Sequence, residues 1–190
     1  MEPSAHVDTF SRDNLPPPGE WPQFLLDNPD ISYPARLNCA VELLDRIIDD
    51  HPERGQGARP AIWSDVEGAP HATTYSELRT RVNQAAHVLT GVMGLVPGNR
   101  ILLRGPNTLH MAVAWLASLK AGLVVVPTMP LLRAKELKQI IDKAQVSAAL
   151  CDARLVDELA QCGDRANAYF CENLLQTRFF HDDGPDSVDT

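Results

Sequence analysis

From Asn38 onward the apolar positions of the chain recur with regular periods. Val41, Leu44, Ile47 and Ile48 fall at helical spacing behind Asn38, a residue suited to an N-cap, and the run stops at the charged "DDHPERG". This predicts a first amphipathic helix. "PAIWSD" and "HATTY" flank the turn-forming "VEGAP", the pattern of an antiparallel hairpin. Thr74, followed three residues later by Glu77, forms a capping box. Behind it Leu78, Val82, Ala85, Ala86, Leu89 and Val92 trace one helical face as far as Gly94.

Beyond "LVPGNR" the pattern alternates: strand "RILLRG", helix from Asn107 to Ala121, strand "LVVVP", helix from Arg133 to Ala144, strand "SAALC", helix from Arg154. Such alternation predicts an α/β fold with a mostly parallel sheet flanked by helices. Because "ILL" and "LVVV" are apolar at successive positions, both faces of the sheet are expected to be covered. After Gly163 the signal fades; "NAYF" reads as one more short strand and "HDDGPDSVDT" as a solvated tail. Residues 1–33, with Pro16, Pro17 and Pro18 in a row, read as an irregular arm that Trp21, Phe24, Leu25 and Leu26 pin to a surface. The layout is thus an arm at 1–33, an α/β unit at 34–175 and a tail at 176–190, without an internal repeat.

Composition narrows the partners. The 190 residues are 44% hydrophobic, enough for one core, and carry a formal net charge of -8 from 25 acidic and 17 basic residues. That balance disfavours nucleic acid, whose phosphates reward clustered Lys and Arg, and leaves small molecules or other proteins. Cys39, Cys151, Cys162 and Cys171 show no Cys-x-x-Cys spacing and read as thiols of a reducing compartment. No apolar run approaches the length of a signal peptide core or a membrane span, so the expectation is a cytoplasmic protein with no membrane partner.

In an open parallel sheet, ligands bind beyond the carboxyl ends of the strands. Three turns fit: Arg104 to Asn107, Pro127 to Arg133, and Cys151 to Arg154. Each has a bland reading. Pro127 and Pro130 fix φ and stop a strand, Asn107 caps a helix, and Arg104, Arg133 and Arg154 are solvated or ion-paired side chains, although three arginines on one rim also suit an anion. His87 and His110 lie inside helices without triad or metal partners, and Met111 and Trp115 read as core. No dinucleotide or P-loop glycine motif, nucleophile elbow or zinc constellation is present, so these patterns support an α/β domain and no named activity.

The ordered succession of "YPARLNCAVELLDR", "TTYSELRTRVNQAAHVL", "GLVPGNRILLRGPNTLHMAVAWLASLKAG", "VVVPTMPLLRAKELKQIIDKA" and "ALCDARL" resembles the N-terminal region of AMP-forming acyl- and aryl-CoA ligases, and is most similar to benzoate-CoA and 2-aminobenzoate-CoA ligases. The resemblance spans Tyr33 to Asp186. It implies the N-terminal subdomain of the adenylate-forming (ANL) superfamily, incomplete, belonging to an enzyme that uses ATP, magnesium and coenzyme A on a small aromatic acid. The family's phosphate loop and C-terminal lysine have no counterpart between Met1 and Thr190, so the resemblance implies no catalytic residue, no metal ligand, no tight cofactor binding and no adenylation by these residues alone. Thr128, Met129 and Pro130 are implied to line the coenzyme A approach and Arg154 to meet a phosphate of coenzyme A. Missing subdomains, or self-association, would cover an apolar face near Leu131 and Leu132.

Two other readings share the pattern. One is a free-standing binding or regulatory module on the same fold, which would present a polar surface at that face. The other is a small flavodoxin-like or response-regulator-like protein, which would need an acidic cluster or a phosphate loop that the sequence lacks.

Overall fold

The computed structural model describes residues 4–23, 33–34, 36–50, 52–66, 68–163 and 167–170, with the side chains of Val66 and 167–170 left aside. Phe24, Leu25, Leu26, Cys171 and the tail lie outside the described residues.

The arm is more than irregular chain. It holds one helical turn, α1 (Phe10–Asp13), and a 3-10 turn at Pro18–Glu20. The Val7 and Asp8 amides both donate to Pro97 O at 2.9 Å, and Asp8 accepts from Arg100, the Phe10 amide and Asn99. Arg100 in turn lies 4.7 Å from the centre of the Phe10 ring. Trp21 folds back on its own segment, donating to Pro16 O at 2.6 Å.

Asn38 caps the first long helix as its sequence suggests, accepting from the Ala40 and Val41 amides at 3.1 and 3.3 Å. A wide π-helical turn, Val41–Asp45, leads into α2 (Arg46–Asp49), with Leu44 buried and Ile48 packed on the core. The hairpin follows as β1 (Pro60–Val66) and β2 (Ala69–Thr74), antiparallel, with Ile62 opposite Thr73 and Ser64 opposite His71. Gly68 turns it at φ +82°, a conformation that side chains with Cβ resist.

Helix α3 (Tyr75–His87) begins on the expected capping box: Thr74 Oγ1 accepts from the Glu77 amide and the Glu77 carboxylate accepts from the Thr74 amide. Leu78, Val82, Ala85, Ala86 and Leu89 are buried, but Val92 is 58% exposed. The reason is local: the helix widens into a π turn at Val88–Val92, and the changed residue count per turn rotates position 92 off the stripe.

Strands β3 (Arg100–Arg104), β4 (Val124–Thr128), β5 (Ala148–Cys151) and β6 (Asn167–Phe170) form a parallel sheet in the order β4-β3-β5-β6. Helices α4 (Leu109–Lys120), α5 (Ala134–Ala144) and the short α6 (Val156–Ala160) connect them. Thr108, not Asn107, caps α4, its Oγ1 accepting from the Met111 amide at 3.3 Å. The chain uses Gly105 to Asn107 to leave the sheet end before the helix starts.

Alternation along β3 divides the core. Ile101 and Leu103 join Ala148, Leu150 and the inner faces of α3 and α4, while Leu102 joins Ala149, Cys151 and the inner face of α5. Each fully buried Leu or Ile contributes about 1.5–3 kcal/mol of transfer free energy. Among the strands whose side chains are described, β3 and β5 are buried on both faces. Val124, Val125 and Val126 remain half-buried because β4 is an edge strand, at the rim of the helical layers.

A buried ion pair fastens the last turn of α4 to the first helix. Lys120 Nζ donates to both Asp45 oxygens at 2.8 Å and to Asn83 Oδ1, and Asn38 donates to Lys120 O at 3.0 Å. Among the described residues no helix is long and apolar enough to cross a membrane.

Candidate functional site

Around β3 the connections of neighbouring strands part to opposite faces of the sheet, and the β3–β5 pair is one such place. From β3 the chain leaves into α4, which packs on the first core; from the neighbouring β5 it leaves toward α6, which packs on the second. Adjacent parallel strands whose connections depart to opposite faces leave a crevice at their carboxyl ends, the position where such sheets take ligands. A cavity of about 100 Å³ lies there, lined by Gly105, Pro106, Thr108, His110, Met111, Asp152 and Arg154.

Its charged walls come from the turn after β5. Asp152 caps the 3-10 turn Ala153–Leu155 by accepting from the Arg154 amide at 3.0 Å, and also accepts the Arg154 guanidinium at 2.9 and 2.8 Å. Hydrogen bonding from Arg154 holds the Asp152 carboxyl below its ordinary range, against the opposing effect of burial. The Arg154 side chain is nonetheless 72% exposed and faces water at the mouth of the cavity. His110, one helical residue in from the Thr108 cap, is exposed on the other wall.

Thr128, Met129 and Pro130 do not line this cavity. They form the corner after β4, where Thr128 Oγ1 donates to Leu103 O at 3.2 Å and Met129 and Pro130 are exposed. What joins the corner to the turn after β5 is Arg104. Its guanidinium is buried and donates to the carbonyl oxygens of Met129 (2.7 Å), Pro130 (2.9 Å) and Leu132 (2.8 Å), with a longer contact to Leu155 O (3.4 Å).

Three arginines do meet at this end of the sheet, but the anion-binding expectation fails for Arg104, which is 1% exposed and faces backbone carbonyls. Arg133 pairs with Glu158 at 2.9 Å. The Ala134 amide and then Arg133 hold the Glu158 carboxyl below its ordinary value. Cys151, at the end of β5, is buried, and burial pushes its thiol up to about 11, so it is no nucleophile at neutral pH.

Burial also separates the pair read as core. Met111 packs against the first core, whereas Trp115 is 40% exposed. Trp115 lines a second, wider groove of about 1100 Å³ between the hairpin and α4, with Trp63, His71, Arg81 and Leu116 among its walls. Leu132 packs against the second core rather than standing exposed, while Leu131 is 79% exposed.

The sequence singles out Arg154 and the corner as candidates but does not point to the work of Arg104. The signal was its parity: in "RILLR" it shares a sheet face with the buried Leu102, which places a guanidinium where only internal acceptors can meet it.

Comparison with known proteins fits this architecture. The family model described as AMP-binding enzyme matches residues 49–184. An uncharacterized acyl-CoA ligase of Bacillus subtilis, YtcI, is 32% identical over 126 residues, 66% of this chain and 22% of the relative. A salicyl-AMP ligase/salicyl-S-ArCP synthetase of Mycobacterium tuberculosis is 45% identical over 119 residues, 62% of this chain and 20% of the relative. A solved benzoate CoA ligase from Burkholderia xenovorans superposes at a TM-score of 0.59 with 25% identity, covering 71% of this chain and 27% of that one. The NpsA N-terminal subdomain of Klebsiella oxytoca, in complex with 3-hydroxybenzoyl-AMSN, shares the fold at a TM-score of 0.58 and 21% identity, covering 71% of this chain and 30% of that one. The chain thus spans about a fifth of the length of these two curated relatives. With the family model covering most of its length and its α/β layers matching solved N-terminal subdomains, the chain belongs to the AMP-binding enzyme family, the adenylate-forming ligases.

Proposed function

We propose that this chain forms the N-terminal part, with its α/β subdomain at 34–175, of an ATP-dependent aryl acid-CoA ligase acting on a benzoate- or 2-aminobenzoate-type acid. The observation that carries the reading is the crevice between β3 and β5, where an exposed Arg154 stands at the mouth of a cavity beyond the carboxyl ends of the strands. Similarity to a salicyl-AMP ligase and to a benzoate CoA ligase supports the aryl choice.

In the proposed reaction a carboxylate joins ATP to give an acyl adenylate and pyrophosphate, and the thiol of coenzyme A then displaces AMP. The residues present fit the second substrate. Arg154 would meet a phosphate, and Thr128, Met129 and Pro130, on the corner after β4 and off the cavity wall, would border the approach. Among the described residues no three His, Cys, Asp or Glu side chains gather as a metal site, and no magnesium ligand is assigned to them. The sequence carries no glycine-rich phosphate loop, and no adenylation step is assigned to these residues. Exposed Met129 and Leu131 favour a surface that further protein covers over a free-standing module with a polar face.

The test is titration of the chain with coenzyme A, followed by amide chemical shifts. Expected are shifts at His110, Arg154 and the corner, and an affinity at least about fivefold weaker in Arg154→Ala, the loss of one charge-assisted contact. Unchanged affinity removes Arg154 from the site. In an enzyme that includes this chain, pyrophosphate exchange with benzoate and 2-aminobenzoate should exceed that with acetate; the reverse order refutes the aryl assignment.

A further inference from the structure

The corner after β4 has little structure of its own. Pro127 and Pro130 bring no N–H, and its internal backbone bonding among the described residues is a single 3.2 Å contact from the Leu132 amide to Met129 O. Its shape comes from beneath. The planar guanidinium of Arg104 presents its donors as a fixed fork, and carbonyls of Met129, Pro130 and Leu132 converge on it at 2.7–2.9 Å.

The charge balance is equally unusual. Among the described residues Arg104 has no carboxylate within ion-pair distance. Of the nearby acids, Asp152 is engaged by Arg154, and Glu158 pairs with Arg133 and the Ala134 amide while the Arg104 charge also helps hold its carboxyl low. Carbonyl dipoles solvate the guanidinium directly, and Glu158 offsets part of its charge at longer range.

We propose that Arg104 is the positioning residue of the coenzyme A approach: its buried guanidinium holds Met129 to Leu132 as a preformed wall. The ligand half of this proposal rests on the reading in the previous section; the positioning half stands without it. Lysine in its place keeps the charge but cannot match three carbonyls with a fork.

The experiment compares the chain with Arg104→Lys and Arg154→Ala by amide hydrogen exchange and coenzyme A titration. In Arg104→Lys the hydrogen-bonded amides of Leu132 and Arg133 should exchange at least about tenfold faster while those of β3 and β5 stay protected. Coenzyme A affinity should fall at least about fivefold, whereas Arg154→Ala should lose affinity with corner exchange unchanged. Unchanged corner exchange in Arg104→Lys overturns the proposal. A loosened corner in a chain that shows no coenzyme A shifts upholds positioning and overturns the ligand assignment. Should Arg104→Lys fail to fold, the guanidinium resonances of the unaltered chain decide: resolved, slowly exchanging Nη protons uphold the fork, and one averaged signal overturns it.

Discussion

Removing either partner of the Lys120–Asp45 pair should destabilise the fold far more than removing both. The Lys120 ammonium has three protons and three acceptors, two Asp45 oxygens at 2.8 Å and Asn83 Oδ1, and the two charged side chains are only 6% and 16% exposed. Asp45→Ala leaves a buried ammonium with Asn83 as its remaining side-chain acceptor, and Lys120→Met leaves a carboxylate that water barely reaches. Breaking such a pair costs about 3–5 kcal/mol, whereas replacing both partners by apolar groups is often near neutral. Against a total stability of about 5–15 kcal/mol, each single variant should lose a large part of its margin. A loss of about 4 kcal/mol lowers the melting temperature of a domain this size by roughly 8–16 °C. Urea unfolding followed by circular dichroism, run as a double-mutant cycle with Asp45→Ala/Lys120→Met, measures the coupling. Single losses under about 1 kcal/mol that add in the double variant would refute the argument that burial makes this pair cooperative.

Three further outcomes follow from the arm and the thiols. Burial works to raise the Asp8 pKa, but hydrogen bonds from Arg100, the Phe10 amide and Asn99 outweigh it and set the folded value below the ordinary one. Stability from this contact is therefore full above the unfolded carboxylate pKa near about 4 and lost as pH falls through the lower folded value; Asp8→Asn should flatten that acid limb, and an unchanged limb would exclude Asp8 as its source. In Gly98→Ala the new Cβ would stand 2.1 Å from Asp8 O at a φ of +92°, so the arm should detach and become the preferred site of limited proteolysis; equal protection of both chains would contradict this. Thiol reagent at neutral pH should modify Cys39, which is exposed, well before Cys151 and Cys162, whose thiols burial raises, with peptide mass mapping as the readout; labelling of Cys151 at the rate of Cys39 would show that the end of β5 opens readily.

What the sequence determined by itself is the set of elements and their layering. Local rules are short-ranged: the Thr74–Glu77 box, the Asn38 cap and the strand-helix alternation each lie within a few residues, and each appears as read. Even the covering of β3 on both faces follows from three successive apolar residues. Tertiary structure decided everything that depends on which distant atoms meet. It set β4 at the edge, so that three valines of apparently central type stay half-buried. It docked the arm through Asp8 and Arg100, residues 92 positions apart. It turned Arg104 from a surface cation into a buried fork beneath the corner, and left Arg154, half a hundred positions later, facing water at the crevice. A charged side chain has no periodic signature, since its environment is fixed by the long-range packing of strands and turns rather than by its neighbours in the chain.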